Sequence, residues 1–158
     1  MSTEKIVTDL EELRRRLEAE RRAGRTVVFA NGCFDVLHVG HVRYLEGAKA
    51  EGDLLVVAVN TDESYRLNRG REPHVPDHER MELIAAVGCV DWVTPLRERT
   101  ADRLIRELRP QVHAKGTDYA PERVTERATV ESVGGRVAIV GDPKDHSSTD
   151  LVHRIRGG

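Results

Sequence analysis

The apolar positions of this chain follow two alternating periods, and the alternation predicts its fold. Short aliphatic and β-branched runs at Thr26–Ala30, Asp53–Val59, Trp92–Thr94, Val112–Lys115 and Arg136–Val140 predict strands. The stretch Leu54-Leu55-Val56-Val57-Ala58-Val59 lacks polar alternation, as expected of a strand buried on both faces of a parallel sheet. Between these runs, apolar residues at helical spacing predict helices over Gly40–Ala50, Asp77–Val87, Thr100–Leu108, Pro121–Val133 and Ser148–Arg156. Ahead of the first strand, Leu10, Leu13 and Leu17 predict an amphipathic helix from Thr8 to about Arg22. Thr8 with Glu11 reads as its capping box, and Gly24 as its end.

Strands alternating with helices mean βαβ units with right-handed crossovers. The expected fold class is α/β, a Rossmann-like doubly wound sandwich of about five parallel strands with helices on both faces. Residues 1–24 form an N-terminal helix packed on the domain, and residues 25–158 form that single domain. Ligands of such sheets bind beyond the carboxyl ends of the strands, at the switch point of the winding. The polar, Pro- and Gly-containing segment Leu67–Asp77 predicts a mobile lid over that edge.

Composition narrows the function classes. Across 158 residues, 25 Lys and Arg against 27 Asp and Glu leave a net charge of −2, without the basic excess of a dedicated nucleic-acid binder. The run Arg14-Arg15-Arg16 is interleaved with glutamates and reads as a solvated face. No apolar run has membrane-spanning length, and Met1–Lys5 lacks a signal core. The expectation is a cytoplasmic protein with small-molecule partners, engaging neither nucleic acid nor membrane. Cys33 and Cys89 are the only cysteines, and no disulfide framework follows from them.

The candidate chemistry is concentrated after the first predicted strand. Thr26-Val27-Val28-Phe29-Ala30-Asn31-Gly32-Cys33-Phe34-Asp35 runs through a glycine turn to His38-Val39-Gly40-His41. Two imidazoles then sit beside the free backbone N–H groups of a helix start, which is an anion site. Gly40 allows a nucleotide close to the backbone. Cys33 has two readings, a nucleophilic thiol or a small residue accommodated in a tight turn. His38, His41 and Cys33 lack the further His or Cys cluster that would close a zinc site, so no metal site is expected.

The motif Asn31–His41 with Val42-Arg43-Tyr44-Leu45-Glu46 resembles the cytidylyltransferase-like nucleotidyltransferases. Val59-Asn60-Thr61-Asp62, His78-Glu79-Arg80, Val90-Asp91-Trp92-Val93 and Ser147-Ser148-Thr149 support the likeness over residues 25–156. Lys115-Gly116-Thr117-Asp118-Tyr119 turns it toward the branch that adenylylates heptose 1-phosphate. The resemblance implies transfer of AMP from ATP to a sugar 1-phosphate, with Mg²⁺ accompanying ATP, a homodimer, and a product feeding lipopolysaccharide core or other surface glycans.

It also implies roles for named residues. His38, His41 and Lys115 are expected to be catalytic. Gly32, Cys33, Phe34, Gly40, Arg80, Ser147, Ser148 and Thr149 are expected to bind nucleotide. Asp35, Asp62, Arg69, Arg71, Asp118 and Tyr119 are expected on the substrate side. Plainer readings stand beside several of these: Arg80 as a helix-surface arginine, Asp62 as a turn cap, Asp35 as a turn organiser, and Ser147–Asp150 as a helix cap.

Two departures bear on the substrate. Asp142, with Lys144 nearby, stands where glycerol-3-phosphate cytidylyltransferases carry an arginine, and Thr117 replaces a glycine usual in the heptose branch. A CTP-dependent transferase of an alcohol phosphate and a non-catalytic nucleotide-binding module are the alternatives. No sugar-kinase segment precedes the motif, so a stand-alone transferase is expected.

Overall fold

A computed structural model describes residues 1–143 and 147–157 of the chain. Five parallel strands form one sheet: β1 (Val27–Gly32), β2 (Leu54–Asn60), β3 (Trp92–Leu96), β4 (Val112–Gly116) and β5 (Arg136–Val140). Their spatial order is β3-β2-β1-β4-β5. The winding reverses after β3, so a crevice opens between the carboxyl ends of β1 and β4. β1 lies at the centre, with Val28 opposite Val112 on one side and Leu55 on the other.

Alternation along the strands assigns the two faces. Val28, Ala30, Val57 and Val59 pack with Leu45 and Ala48 of helix α2 (Val39–Lys49) and Ile84 and Ala85 of α4 (Asp77–Ala85). Val27, Phe29, Val56 and Ala58 pack with Leu13 and Leu17 of α1 (Leu10–Arg22), Leu104 and Ile105 of α5 (Asp102–Leu108), and Val130 of α6 (Arg127–Ser132). Both faces are covered, which accounts for the unbroken apolar run of β2. The doubly wound sandwich expected from the sequence is the fold of the protein.

The first helix is part of this core. Leu13 and Leu17 are fully buried, so the apolar stripe serves packing within the chain. Asp9, rather than Thr8 with Glu11, caps it, its carboxylate accepting from the Glu11 and Glu12 amides. Ile6 and Val7 extend the contact by pairing along β3.

Other boundaries depart from expectation for local reasons. The segment Leu67–Asp77, expected as a mobile lid, begins inside helix α3 (Asp62–Arg69), ends at the first residue of α4, and is tied down between them by hydrogen bonds from His74 and Val75 to Asp35. Thr61 caps α3 through the Ser64 amide, and Gly70 ends it in the left-handed conformation, φ 68°. The helix expected over Pro121–Val133 divides into a 3₁₀ turn, Pro121–Arg123, and α6. Thr100–Leu108 shortens to α5, beginning at Asp102.

α2 crosses the end of β5 closely. Gly141 has φ 90°, and a Cβ there would lie 3.2 Å from the Tyr44 Cα. Tyr44 donates to the Ala114 carbonyl at 2.7 Å, fastening α2 across β4. These contacts set the start of α2 over the crevice. The last helix, α7 (Ser148–Ile155), is tied to the same place by the Ser148 hydroxyl, which donates to the Val36 carbonyl at 2.7 Å. Lys144 lies outside the described residues. Among the described residues, no helix is long and apolar enough to cross a membrane.

Candidate active site

A cavity of about 930 Å³ opens at the carboxyl edge of the sheet, lined by the β1 turn, the starts of α2 and α7, the end of β4 and the segment after α3. Its centre is the histidine pair. His38 is the extended N-cap of α2, and its Nδ1 accepts from the Gly40 amide at 3.1 Å. His41 reaches back so that its Nδ1 accepts from the His38 amide at 3.2 Å. This is the reciprocal logic of a capping box, built from imidazoles. Because each Nδ1 accepts a backbone proton, the neutral ring carries its own proton on Nε2. The rings stack with centroids 4.0 Å apart. Both therefore supply Nε2–H donors beside a helix N-terminus.

The turn before them is strained. Phe34 has φ 49°, unusual for a bulky residue, and is held there by burial with its ring against His41 at 5.5 Å. Gly32 makes room for it: a Cβ there would sit 3.1 Å from the Phe34 ring. The Cys33 thiol lies 3.7 Å from the Asn60 amide oxygen. Burial raises the thiol's pKa, outweighing the lowering effect of Arg69 and Arg80, so it stays protonated at neutral pH. Between the two readings of Cys33, the structure favours the accommodated small residue.

Asp35 ties the motif to the segment that follows α3. Its carboxylate accepts from the His74 amide at 2.8 Å, the Val75 amide at 3.0 Å, the His74 ring at 2.8 Å and the Tyr65 hydroxyl at 3.3 Å. Its oxygens thus anchor the loop over the cavity, which accords with the turn-organiser reading. Burial alone would raise this carboxyl's pKa, but the hydrogen bonds from His74 and Val75 prevail and hold it below the ordinary value. The bonded carboxylate therefore adds stability above about pH 4, and that stability is lost as pH falls through the lowered folded-state pKa. The melting-temperature gap between wild type and Asp35→Asn is expected to be full at neutral pH and to close under acid. A gap unchanged between neutral and acidic pH would contradict this account.

Arg80 and Asp62 lie outside the cavity lining. Arg80 is fully buried, donating to the Val75, Cys33 and Asn60 carbonyls and to Asp62 Oδ1 at 2.8 Å. Asp62 also accepts from the Asp77 amide at 2.9 Å. Neither the triphosphate role nor the surface reading of Arg80 fits this placement, because its donors are engaged beneath the site. Asp62 likewise is part of the frame, near to the turn-cap reading.

The remaining expected residues line the cavity. Lys115, next to last in β4, has its Nζ 4.5 Å from the Tyr119 ring, and Asp118 lines the cavity with them. Arg69, from the last turn of α3 rather than a loop, and Arg71 gather near the Tyr65 ring at 6.0 and 5.3 Å. Ser147 caps α7 through the Asp150 amide, and Ser148 and Thr149 line the cavity at that helix start. Two acids on the rim are paired: Asp142 with Arg43 at 2.8 Å and Glu72 with Arg66 at 3.0 Å. Thr117 donates to the Asp142 carbonyl at 2.7 Å, linking the β4 and β5 turns.

The cytidylyltransferase-like family profile matches residues 29–154. The chain belongs to the cytidylyltransferase-like family. It is 47% identical over 153 residues to the bifunctional protein HldE of Geotalea uraniireducens, covering 96% of this chain and 31% of that protein. HldE of Pseudomonas paraeruginosa is 43% identical over 155 residues, 98% of this chain and 33% of its own. The chain thus spans about a third of the length of these relatives. A solved lipopolysaccharide core biosynthesis protein from Thermoplasma volcanium superposes with a TM-score of 0.67 at 28% identity, covering 77% of this chain and 100% of that one. The resemblance drawn from the histidine motif is therefore correct, and with it the nucleotidyltransferase class.

This cytidylyltransferase-like site holds residues to which the sequence assigned no role. Asn31, Tyr65, Arg99, Thr125, Glu126 and Arg156 also line the cavity. Glu126 is only 5% exposed, and its carboxylate accepts from Thr125 Oγ1 at 2.8 Å. No periodic or motif signal marks Thr125 and Glu126. Asn31 opens the histidine motif and immediately precedes the turn glycine.

Proposed function

We propose that the protein transfers AMP from ATP to D-glycero-β-D-manno-heptose 1-phosphate, giving ADP-heptose and pyrophosphate. The observation that carries this reading is the pair of Nδ1-capped histidines at the mouth of the β1/β4 crevice. A phosphate oxygen of the acceptor attacks the α-phosphorus of ATP, the bond to the β-phosphate bridge breaks, and pyrophosphate leaves. The attacking phosphate is largely dianionic at neutral pH, since its second pKa is about 6, so no strong base is needed. Catalysis rests on positioning and on donors aimed at the transferring group. The His38 and His41 Nε2–H groups and the starts of α2 and α7 supply the donors on one side, and Lys115 supplies a cation on the other. Among the described residues no three His, Cys, Asp or Glu side chains converge as a metal site. Mg²⁺ in this reading enters on the triphosphate as part of the substrate.

HldE relatives at 42–49% identity support the heptose acceptor. Pairing of Asp142 with Arg43 supports it over the glycerol phosphate alternative, whose enzymes carry an arginine at that position. ATP as substrate and the two free cysteines support a cytoplasmic setting. The test is pyrophosphate release from a matrix of ATP and CTP against heptose 1-phosphate and glycerol 3-phosphate. Turnover is expected with ATP and the heptose phosphate; turnover with CTP alone would overturn the adenylyl assignment.

A further inference from the structure

His113 is fully buried in β4, its ring 5.4 Å from that of Phe29. Its Nε2 lies 2.9 Å from Asn31 Oδ1, while its Nδ1 is buried with no hydrogen-bond partner among the described residues. That pairing decides a tautomer. A proton on Nδ1 would be a buried donor without an acceptor, which is rarer and costlier than a bare lone pair. The proton therefore belongs on Nε2, and burial together with Lys115 lowers the imidazole pKa to about 4, so the ring is neutral at working pH.

An Nε2–H donor fixes the amide of Asn31, because only the amide oxygen can accept it. The Asn31 NH₂ group then faces the cavity that Asn31 lines, and none of the described residues accepts from it. Strand alternation puts Phe29 and Asn31 of β1 on one face, with His113 and Lys115 of β4 on the same face. α2, which carries the histidine pair, packs on the opposite face. Asn31 and Lys115 thus present two donors at the ends of adjacent strands, across the crevice from the histidines.

We infer that Asn31 contacts a phosphoryl oxygen of the acceptor substrate, and that His113 is a positioning residue that locks the Asn31 amide in its donor orientation. The inference rests on the adenylyl-transfer reading for the identity of the acceptor, but its geometry can be tested without turnover. In ¹⁵N-labelled wild-type protein, NMR should show His113 protonated on Nε2 and bare on Nδ1. Added inorganic phosphate should shift the Asn31 side-chain NH₂ resonances. The opposite tautomer, or an Asn31 amide indifferent to phosphate, would overturn the inference even if the enzyme proves inactive with heptose phosphate.

Kinetics give the second arm. Asn31→Ala is expected to raise KM for the sugar phosphate about tenfold, as for loss of a hydrogen bond to a charged group, with KM for ATP little changed. His113→Leu should have a similar effect in wild type and none in the Asn31→Ala background, since it acts through that amide. His113→Gln, which keeps an N–H near the Nε2 position, should restore the acceptor KM. Additive effects of His113→Leu and Asn31→Ala, or a rise confined to the ATP KM, would refute the assignment while leaving adenylyl transfer intact.

Discussion

His41→Ala is expected to lower kcat by about 10²- to 10³-fold, the usual effect of removing one preorganised donor to a transition-state oxyanion. The dissociation constant for ATP should change only a few-fold, because in the proposed reading the helix starts and Lys115 still meet the phosphates. In the proposed reading the two ring nitrogens of His41 have separate parts, and an alanine removes both together. Nδ1 accepts from the His38 amide and closes the helix start, a cap whose loss costs about 1 kcal/mol. In the same reading, Nε2 carries the proton offered to the reacting phosphoryl group. His41→Asn separates them: its amide oxygen can take the place of Nδ1, but nothing replaces Nε2–H. The expected result is a melting temperature near wild type with kcat still depressed. If His41→Asn recovered both, the histidine would be a cap and nothing more. If His41→Ala turned over like wild type, a non-catalytic nucleotide-binding module would be the better description.

The parts legible in the sequence are those written in local code. The unbroken Leu54–Val59 run revealed a strand covered on both sides, and the strand–helix alternation gave the winding. The histidine motif was readable because its chemistry is contiguous, a turn, a cap and a helix start within eleven residues, Asn31–His41. What escaped depends on long-range packing. α3 has Ser64 and Tyr65 as its buried residues and leaves Leu67 exposed, so it has too few apolar residues to mark a buried stripe, although Thr61 and Gly70 stand at its ends. His113 and Glu126 are separated from the motif by more than seventy residues, and only the β1–β4 pairing brings His113 to Asn31. The placement of Arg80 is hidden for the same reason: nothing in a helix sequence tells whether an arginine turns outward to a ligand or inward to four backbone and side-chain acceptors.

That inward placement carries the largest expected effect on stability. The Arg80 guanidinium joins four pieces of the site's frame: the loop at Val75, the β1 turn at Cys33, the end of β2 at Asn60 and the start of α3 at Asp62. Arg80→Leu would leave three carbonyl acceptors and a carboxylate without this donor, at a cost of about 3–5 kcal/mol. For a chain of this size, that corresponds to a fall of about 6–20 °C in melting temperature. Arg80→Lys should recover only part, because one ammonium cannot reproduce the planar fork that meets carbonyls in several directions. The discriminating measurement is ATP affinity in Arg80→Lys, taken well below its melting point. With the arginine buried as a clamp, the folded variant should bind ATP within a few-fold of wild type while melting early. Strong loss of ATP affinity at an unchanged melting temperature would instead place the guanidinium on the triphosphate, and the buried network described here would not be the one that operates in solution.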